Sequence, residues 1–366
     1  MIISSVYFLY GLLLDNQLAA SRCFILEKML DGVLLHVFYL VAVLLTMGVG
    51  CLASYLRSNR KTAIMLLPPV LITFVWSVIF AMSMVGTASY FLLAGFLLVG
   101  IVLPLLNCIA LSILGSANRH LLGVPIAAMA FGTLVSKGAV LLTWAFMSFV
   151  YISLATILVG IALPKLRLPI KVKFMAAEED NPRALGAPWQ YQAINIMSFV
   201  WFSNKCLFKD NLFFIRPVTA DVLLQQVLII ASALGTIFLM PAMKNRANRV
   251  LLVGFLLEAL HIAAITTLHL SEASIWTIRI LNGLATGLIL VSMPICLYDF
   301  APNSVKPFAL SFTTVTALVA ETIFHYFCTG LDALLVTHCI YVIKILNFGA
   351  LVAAVALGCL PKTLWS

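Results

Sequence analysis

Arg57-Ser58-Asn59-Arg60 returns as Arg246-Ala247-Asn248-Arg249, 189 positions further along a chain of 366 residues. Both copies sit in short basic gaps between long apolar runs. At the same offset Val33-Leu34-Leu35 returns as Val222-Leu223-Leu224, Phe24 as Phe213, and the polar Asp15 as Asn204. Apolar chains repeat Val and Leu by chance, so no single match carries weight. Several matches on one offset, the non-apolar ones included, describe a chain built from two related halves.

Composition says where such a chain lives. It is 63% hydrophobic and 10% charged with a mean hydropathy of +1.12, too little polar surface to cover a soluble globule of this size. A spanning helix takes roughly 20 apolar residues. Twelve candidate runs lie near 2–20, 30–52, 62–85, 88–114, 120–146, 147–165, 189–208, 219–242, 249–270, 273–298, 307–328 and 334–360. The boundary is least distinct between 120–146 and 147–165, where there is almost no polar gap, and between 189–208 and 219–242, where the gap carries lysines. Isolated Pro104, Gly283, Gly287 and Pro294 are tolerated in spans because neighbouring helices satisfy the freed backbone groups. Continuous apolar runs, instead of short alternating segments, exclude a β-barrel. Met1-Ile2-Ile3 shows no basic region and no cleavage site, so it reads as the start of a first span and not as a removable leader.

Orientation follows from the 22 Lys and Arg residues. Gaps on the N-terminal side hold Arg57, Arg60, Lys61, Arg119, Lys165, Arg167, Lys171, Lys173, Arg183, Lys244, Arg246, Arg249, Lys306 and Lys362. The other side holds only Arg22, Lys28, Lys205, Lys209 and Arg216. The positive-inside rule then puts both termini in the cytoplasm. Topology accounts for the net charge of +9, and nucleic acid has no place among the expected partners. The eight cysteines form no C-x-x-C pair and read as buried small hydrophobes. The six histidines show no metal-ligand spacing, so neither a metal nor another cofactor is expected.

One gap is long enough to be a linker, residues 166–188, dividing the chain into halves 1–165 and 189–366 of six runs each. Its first part alternates basic and apolar residues up to Lys173, a pattern favoured by anionic lipid head groups. Glu178-Glu179-Asp180-Asn181-Pro182 is polar and turn-forming. Two related halves in a membrane point to a secondary transporter with its site near the bilayer midplane.

The basic gap that follows the second run reads Gly50-Cys51-Leu52-Ala53-Ser54-Tyr55-Leu56-Arg57-Ser58-Asn59-Arg60-Lys61. It resembles the Gly-x-Leu-Ala-Asp-Arg-x-Gly-Arg-Arg/Lys motif of the major facilitator superfamily, whose degenerate copy falls between helices eight and nine. Gly50, Leu52, Ala53, Arg60 and Lys61 fit. Ser54 stands at the acidic position, and the loop is longer than the pattern. Arg279-x3-Gly283-x3-Gly287 in the tenth run is similar to an Arg-and-Gly pattern of the same family. The resemblance implies that runs 1, 4, 7 and 10 line a central cavity, 2, 5, 8 and 11 flank it, and 3, 6, 9 and 12 support it from outside. It also implies gating loops at Gly50, Arg57, Arg60, Lys61, Arg246 and Arg249.

An ionised side chain at the bilayer centre costs at least roughly 2.5–3.5 kcal/mol on insertion scales, so each needs a partner or a watery cavity. Asp15, Lys137, Glu258, Arg279, Glu321 and Lys344 stand well inside runs. Leu134-Val135-Ser136-Lys137 parallels Leu318-Val319-Ala320-Glu321, at equivalent heights in the two halves. Under the implied layout Lys137 and Glu321 face the cavity from opposite sides, as do Asp15 and Arg279. These four are the candidates for substrate binding and proton coupling, with static structural pairing as the other reading. Arg279 is near enough to the outer end of its run to snorkel instead. Glu258 and Lys344, on supporting runs, read as static structural charges. Asp15 and Glu321 are the candidate proton carriers, since burial and an opposing charge move a carboxylate in opposite senses. Lys137 and Arg279 suit an anionic or zwitterionic substrate. Asn16, Gln17, Asn195, Trp201 and Asn204 either line the cavity or pack at ordinary helix interfaces, and Lys205 either extends the seventh-run cluster or lies in the outer loop.

These readings define a fold class of all-α membrane protein, twelve transmembrane helices in two pseudo-symmetric six-helix bundles. The expected function is proton-coupled transport of a small organic solute by a monomer in a bacterial inner membrane. No Walker-type phosphate loop is present, which disfavours an ATP-driven pump. The alternatives are a polytopic membrane enzyme, for which no gap resembles a catalytic loop, and a transport-incompetent sensor or scaffold on a transporter fold.

Overall fold

The computed structural model describes residues 3–12, 103, 106–107, 110–111, 114, 118–138, 188–209, 219–244, 246–267, 272–301 and 333–359. All regular structure among the described residues is helical. We label α1 Ile3–Leu12, α2 Gly123–Gly138, α3 Pro188–Lys209, α4 Thr219–Ala242, α5 Ala247–Thr267, α6 Glu272–Phe300 and α7 Ala333–Gly358. They fall in the first, fifth, seventh, eighth, ninth, tenth and twelfth apolar runs. A 3₁₀ turn, Arg119–Leu122, leads into α2.

These helices turn large apolar side chains outward and bury several charged and amide groups, unlike a soluble bundle. Phe238, Ile345 and Phe348 are 78%, 71% and 69% exposed, whereas Glu258, His261, Asn204 and Asn248 are buried. Tyr341, Val342, Ile345, Phe348, Val352 and Val355 form one exposed apolar face of α7. Such a face is stable against hydrocarbon and not against water. Leu223–Ala242, Ala247–Thr267 and Ala273–Phe300 are each long and apolar enough to cross a membrane, as is Arg119–Ser136.

The chain divides into two compact units. One comprises Met1–Ser116, Val124–Glu178 and Asn303–Val315, and the other Ala117–Gly123, Glu179–Pro302 and Thr316–Ser366. In the first, α1 and α2 touch backbone to backbone, because a Cβ at Gly11 would strike the Met129 carbonyl and one at Gly132 the Phe8 carbonyl. Close approach through small residues is how membrane helices gain packing without a hydrophobic driving force. Thr133 Oγ1 donates to the Gly11 carbonyl at 3.3 Å, the Phe8 and Phe131 rings stand 5.8 Å apart, and the Tyr7 hydroxyl donates to Asn107 Oδ1 at 2.6 Å.

In the second unit α6 packs between α4 and α5 and also meets α3, while α7 lies against α5 and α3. The Gly283-x3-Gly287 spacing read in the sequence is the α4–α6 contact. Its glycines face Gln225, Leu228, Ile229 and Ser232, and Ser232 Oγ donates to the Gly283 carbonyl at 3.4 Å. Polar clasps hold the rest together. Asn204 and Asn347 exchange amide hydrogen bonds of 2.7 and 2.9 Å between α3 and α7. Asn248 Nδ2 donates to the Leu357 carbonyl at 2.6 Å, tying the start of α5 to the end of α7. A tight link joins α4 to α5, with Lys244 at φ 60 and its N–H returned to the Pro241 carbonyl at 2.9 Å. That left-handed residue closes α4 as a glycine ordinarily would.

Candidate functional site

Three helices of the second unit converge on a buried ion pair. Lys205, one turn before the end of α3, places Nζ 3.0 Å from Glu258 Oε2 at the middle of α5. The same ammonium donates to Asn282 Oδ1 on α6, which also accepts from Thr286 Oγ1 at 3.1 Å. On the far side of the carboxylate His261 Nδ1 stands 3.6 Å from Glu258 Oε1. Trp201, one turn before Lys205, sets its ring 5.5 Å from the ammonium. Helical spacing makes this possible: Trp201 and Lys205 are four apart, Glu258 and His261 three apart, and Asn282 and Thr286 four apart, so each helix presents its polar groups on one face.

The environment fixes what the cluster does. Glu258 is 0% exposed, and a carboxylate sealed from water is tolerable only when it is paired and hydrogen-bonded. Lys205 supplies the charge, and Asn282 shares the ammonium. Two polar atoms of α3 are buried without a hydrogen-bond partner, Trp201 Nε1 and Asn195 Oδ1. Arg279, one turn before Asn282 on α6, donates from Nη1 to Gln225 Oε1 of α4 at 3.1 Å.

A second ion pair stands at the end of α6. Arg119, in the 3₁₀ turn, pairs with Asp299 and lies 5.5 Å from the Tyr298 ring centroid. The turn also packs on α4, where a Cβ at Gly123 would meet the Ala233 carbonyl and the Thr236 hydroxyl.

Of the residues singled out in the sequence, Trp201 and Arg279 lie in or beside this region, and Asn195 is buried nearer the start of α3. Asn204 is engaged by Asn347. Arg246 precedes α5 at the tight link and Arg249 stands in its first turn, and Lys137 lies on α2 in the last of its described turns. Asp15, Asn16, Gln17, Gly50, Arg57, Arg60, Lys61 and Glu321 lie outside the described residues. Glu258, read as a static charge on a supporting run, pairs with Lys205 of α3, the run expected to line the cavity, and Lys344, the other expected static charge, lies 5.8 Å from the Tyr341 ring centroid on its own helix. Sequence reasoning did not join Glu258 to Lys205, nor did it single out Asn282 or Gln225. The i,i+3 step from Arg279 to Asn282 beside the glycine pattern was the available signal.

The sequence matches no protein-family model and no curated protein. Among solved structures it is similar to FucP, a Major Facilitator Superfamily transporter crystallised in the outward conformation. The identity is 12%, the TM-score is 0.68, and the match covers 97% of each chain. Such a likeness is one of fold. The chain is a multi-pass membrane protein with the major facilitator fold.

Proposed function

We propose that this protein is a secondary transporter that moves a small organic solute bearing an anionic or zwitterionic group across a cell membrane by alternating access, coupled to protons. The full arrangement is twelve spans in two six-helix halves, 1–165 and 189–366, joined by residues 166–188. Both termini are cytoplasmic, the membrane is a bacterial inner membrane, and the working unit is a monomer without a cofactor. Arg279, with Asp15, Lys137 and Glu321, belongs to the substrate and coupling set.

The observation that carries this reading is the Lys205–Glu258 pair, buried at the junction of three helices with His261 and Asn282 around it. Intramembrane ionisable clusters are expensive and mark substrate and proton pathways. The fold supports the reading, since a two-bundle fold around a midplane site is the architecture of rocking transporters.

The test compares small-molecule pools in cells and medium for a deletion strain, its parent, and a strain carrying Glu258→Gln. A compound accumulating inside the deletion strain identifies an exporter, one left unused in the medium an importer, and the Glu258→Gln strain is expected to follow the deletion strain with normal membrane insertion. If no pool changes under several growth conditions, the transport reading falls, and the sensor and enzyme alternatives take its place.

A further inference from the structure

An ammonium has three N–H donors. At Lys205 two are engaged, by Glu258 Oε2 and Asn282 Oδ1, and the Trp201 ring flanks the nitrogen. The Lys205 side chain keeps 22% of its exposure while that of Glu258 keeps none. The lysine side chain is therefore partly exposed and its counter-ion sealed. Beside the cation, Trp201 Nε1 is buried without an acceptor in a residue only 3% exposed. A buried indole N–H ordinarily has a partner. An ammonium with a third N–H to spare beside an unanswered indole N–H offers an oxyanion two donors.

We propose that this cluster binds the carboxylate of a small organic acid, with Lys205 and the Trp201 N–H as donors, and that the incoming carboxylate displaces Glu258 from Lys205, so that Glu258 takes up one proton for each anion bound. The inference rests on the transport reading above.

Charge balance dictates the stoichiometry. The empty cluster, Lys205 ammonium with Glu258 carboxylate, is neutral. Adding an anion alone leaves one uncompensated negative charge where Glu258 has no access to water, and such a charge neutralises sooner than it stays buried. With one proton on Glu258, the loaded cluster holds ammonium, bound carboxylate and carboxylic acid, and it is neutral again. No covalent bond changes apart from the new O–H. The charged groups acting on Glu258 are Lys205 from α3 and His261 from its own helix, with Arg279 of α6 acting on His261. Lys344 of α7 lies over Tyr341. Because linkage is reciprocal, proton and anion strengthen each other's binding, and the two travel in the same direction.

The experiment uses the purified full-length protein in weakly buffered detergent solution near neutral pH. Lactate, succinate and glutamate are titrated in while tryptophan fluorescence reports binding and a soluble pH dye reports protons. At least one acid is expected to perturb the fluorescence with uptake of about one proton per anion. In Glu258→Gln, which mimics the protonated acid, binding persists and the uptake disappears. Lys205→Gln weakens binding about tenfold or more. The doubly neutral Lys205→Gln/Glu258→Gln variant, which leaves no lone buried charge, is folded and does not bind, while Lys205→Arg retains binding. Binding without proton uptake in the unmodified protein overturns the proposal. So does uptake that survives Glu258→Gln, which would move the proton to His261, and so does silence toward all three acids. Transport itself fails separately, when the metabolite pools of the deletion strain do not change.

Discussion

At the scale of the residue, the Lys205–Glu258 pair constrains the protein more than it stabilises it. Removing one member of a buried pair leaves the other charge uncompensated, at about 3–5 kcal/mol, whereas replacing both by apolar groups is often neutral. Lys205→Met is thus expected to lower the melting temperature of the purified protein sharply. Adding Glu258→Leu to it should recover most of the loss and leave solute movement abolished. A double variant that melts where the two single effects add would show that the groups are not energetically coupled. Asn204 provides the contrast. Its amide is bonded in both directions to Asn347, so Asn204→Leu should cost stability, by about 0.6–2 kcal/mol for an interhelical polar contact in a membrane, and leave any substrate affinity unchanged. Titrations of the two variants against the same acids separate the roles, with binding expected to fall in the Lys205 variant and to hold in the Asn204 variant.

At the scale of the element, close helix approach is decided by glycine position. A Cβ at Gly287 would stand 2.6 Å from the Ile229 carbonyl and closer still to Ser232 Oγ, so Gly287→Val forces α4 and α6 apart. Nothing lies within 4 Å of a Cβ at Gly235. Gly235→Ala should therefore leave the melting temperature unchanged or raise it slightly, in line with the helix preference of Ala over Gly by about 0.8–1.0 kcal/mol, while Gly287→Val lowers it. Equal effects at both sites would rule out the packing explanation. The same contact shows what a sequence makes legible. Helix extents were readable because each span needs its own apolar length. For α4 the run 219–242 coincides with Thr219–Ala242, and for α7 334–360 with Ala333–Gly358. The glycine spacing and the intramembrane Glu258 stood out against apolar neighbours. Partners did not, because pairing depends on how each helix is rotated about its axis. Lys205 near a helix end was compatible with an outer loop, Glu258 on a supporting run gave no hint of α3, and Arg119, read as a loop cation, is held by Asp299.

At the scale of the whole molecule, the face to which the basic gaps belong follows from helix ends without counting spans. Asn248 near the start of α5 bonds to Leu357 near the end of α7, so Cys359 lies at the same end of the second unit as Lys244, Arg246 and Arg249. In the proposed orientation, with positively charged gaps of this kind on the cytoplasmic side, Cys359 lies there too. Cys359 is exposed, whereas Cys296 is buried, so a variant whose other cysteines are replaced by serine or alanine presents one reactive thiol. A membrane-impermeant maleimide is expected to label that thiol in inside-out vesicles and not in intact spheroplasts. Labelling only from the outside would invert the topology, and with it the cytoplasmic placement of Arg246 and Arg249. It would leave the Lys205–Glu258 cluster intact but nearer the cytoplasmic face, reversing the side from which an acid and its proton first reach it.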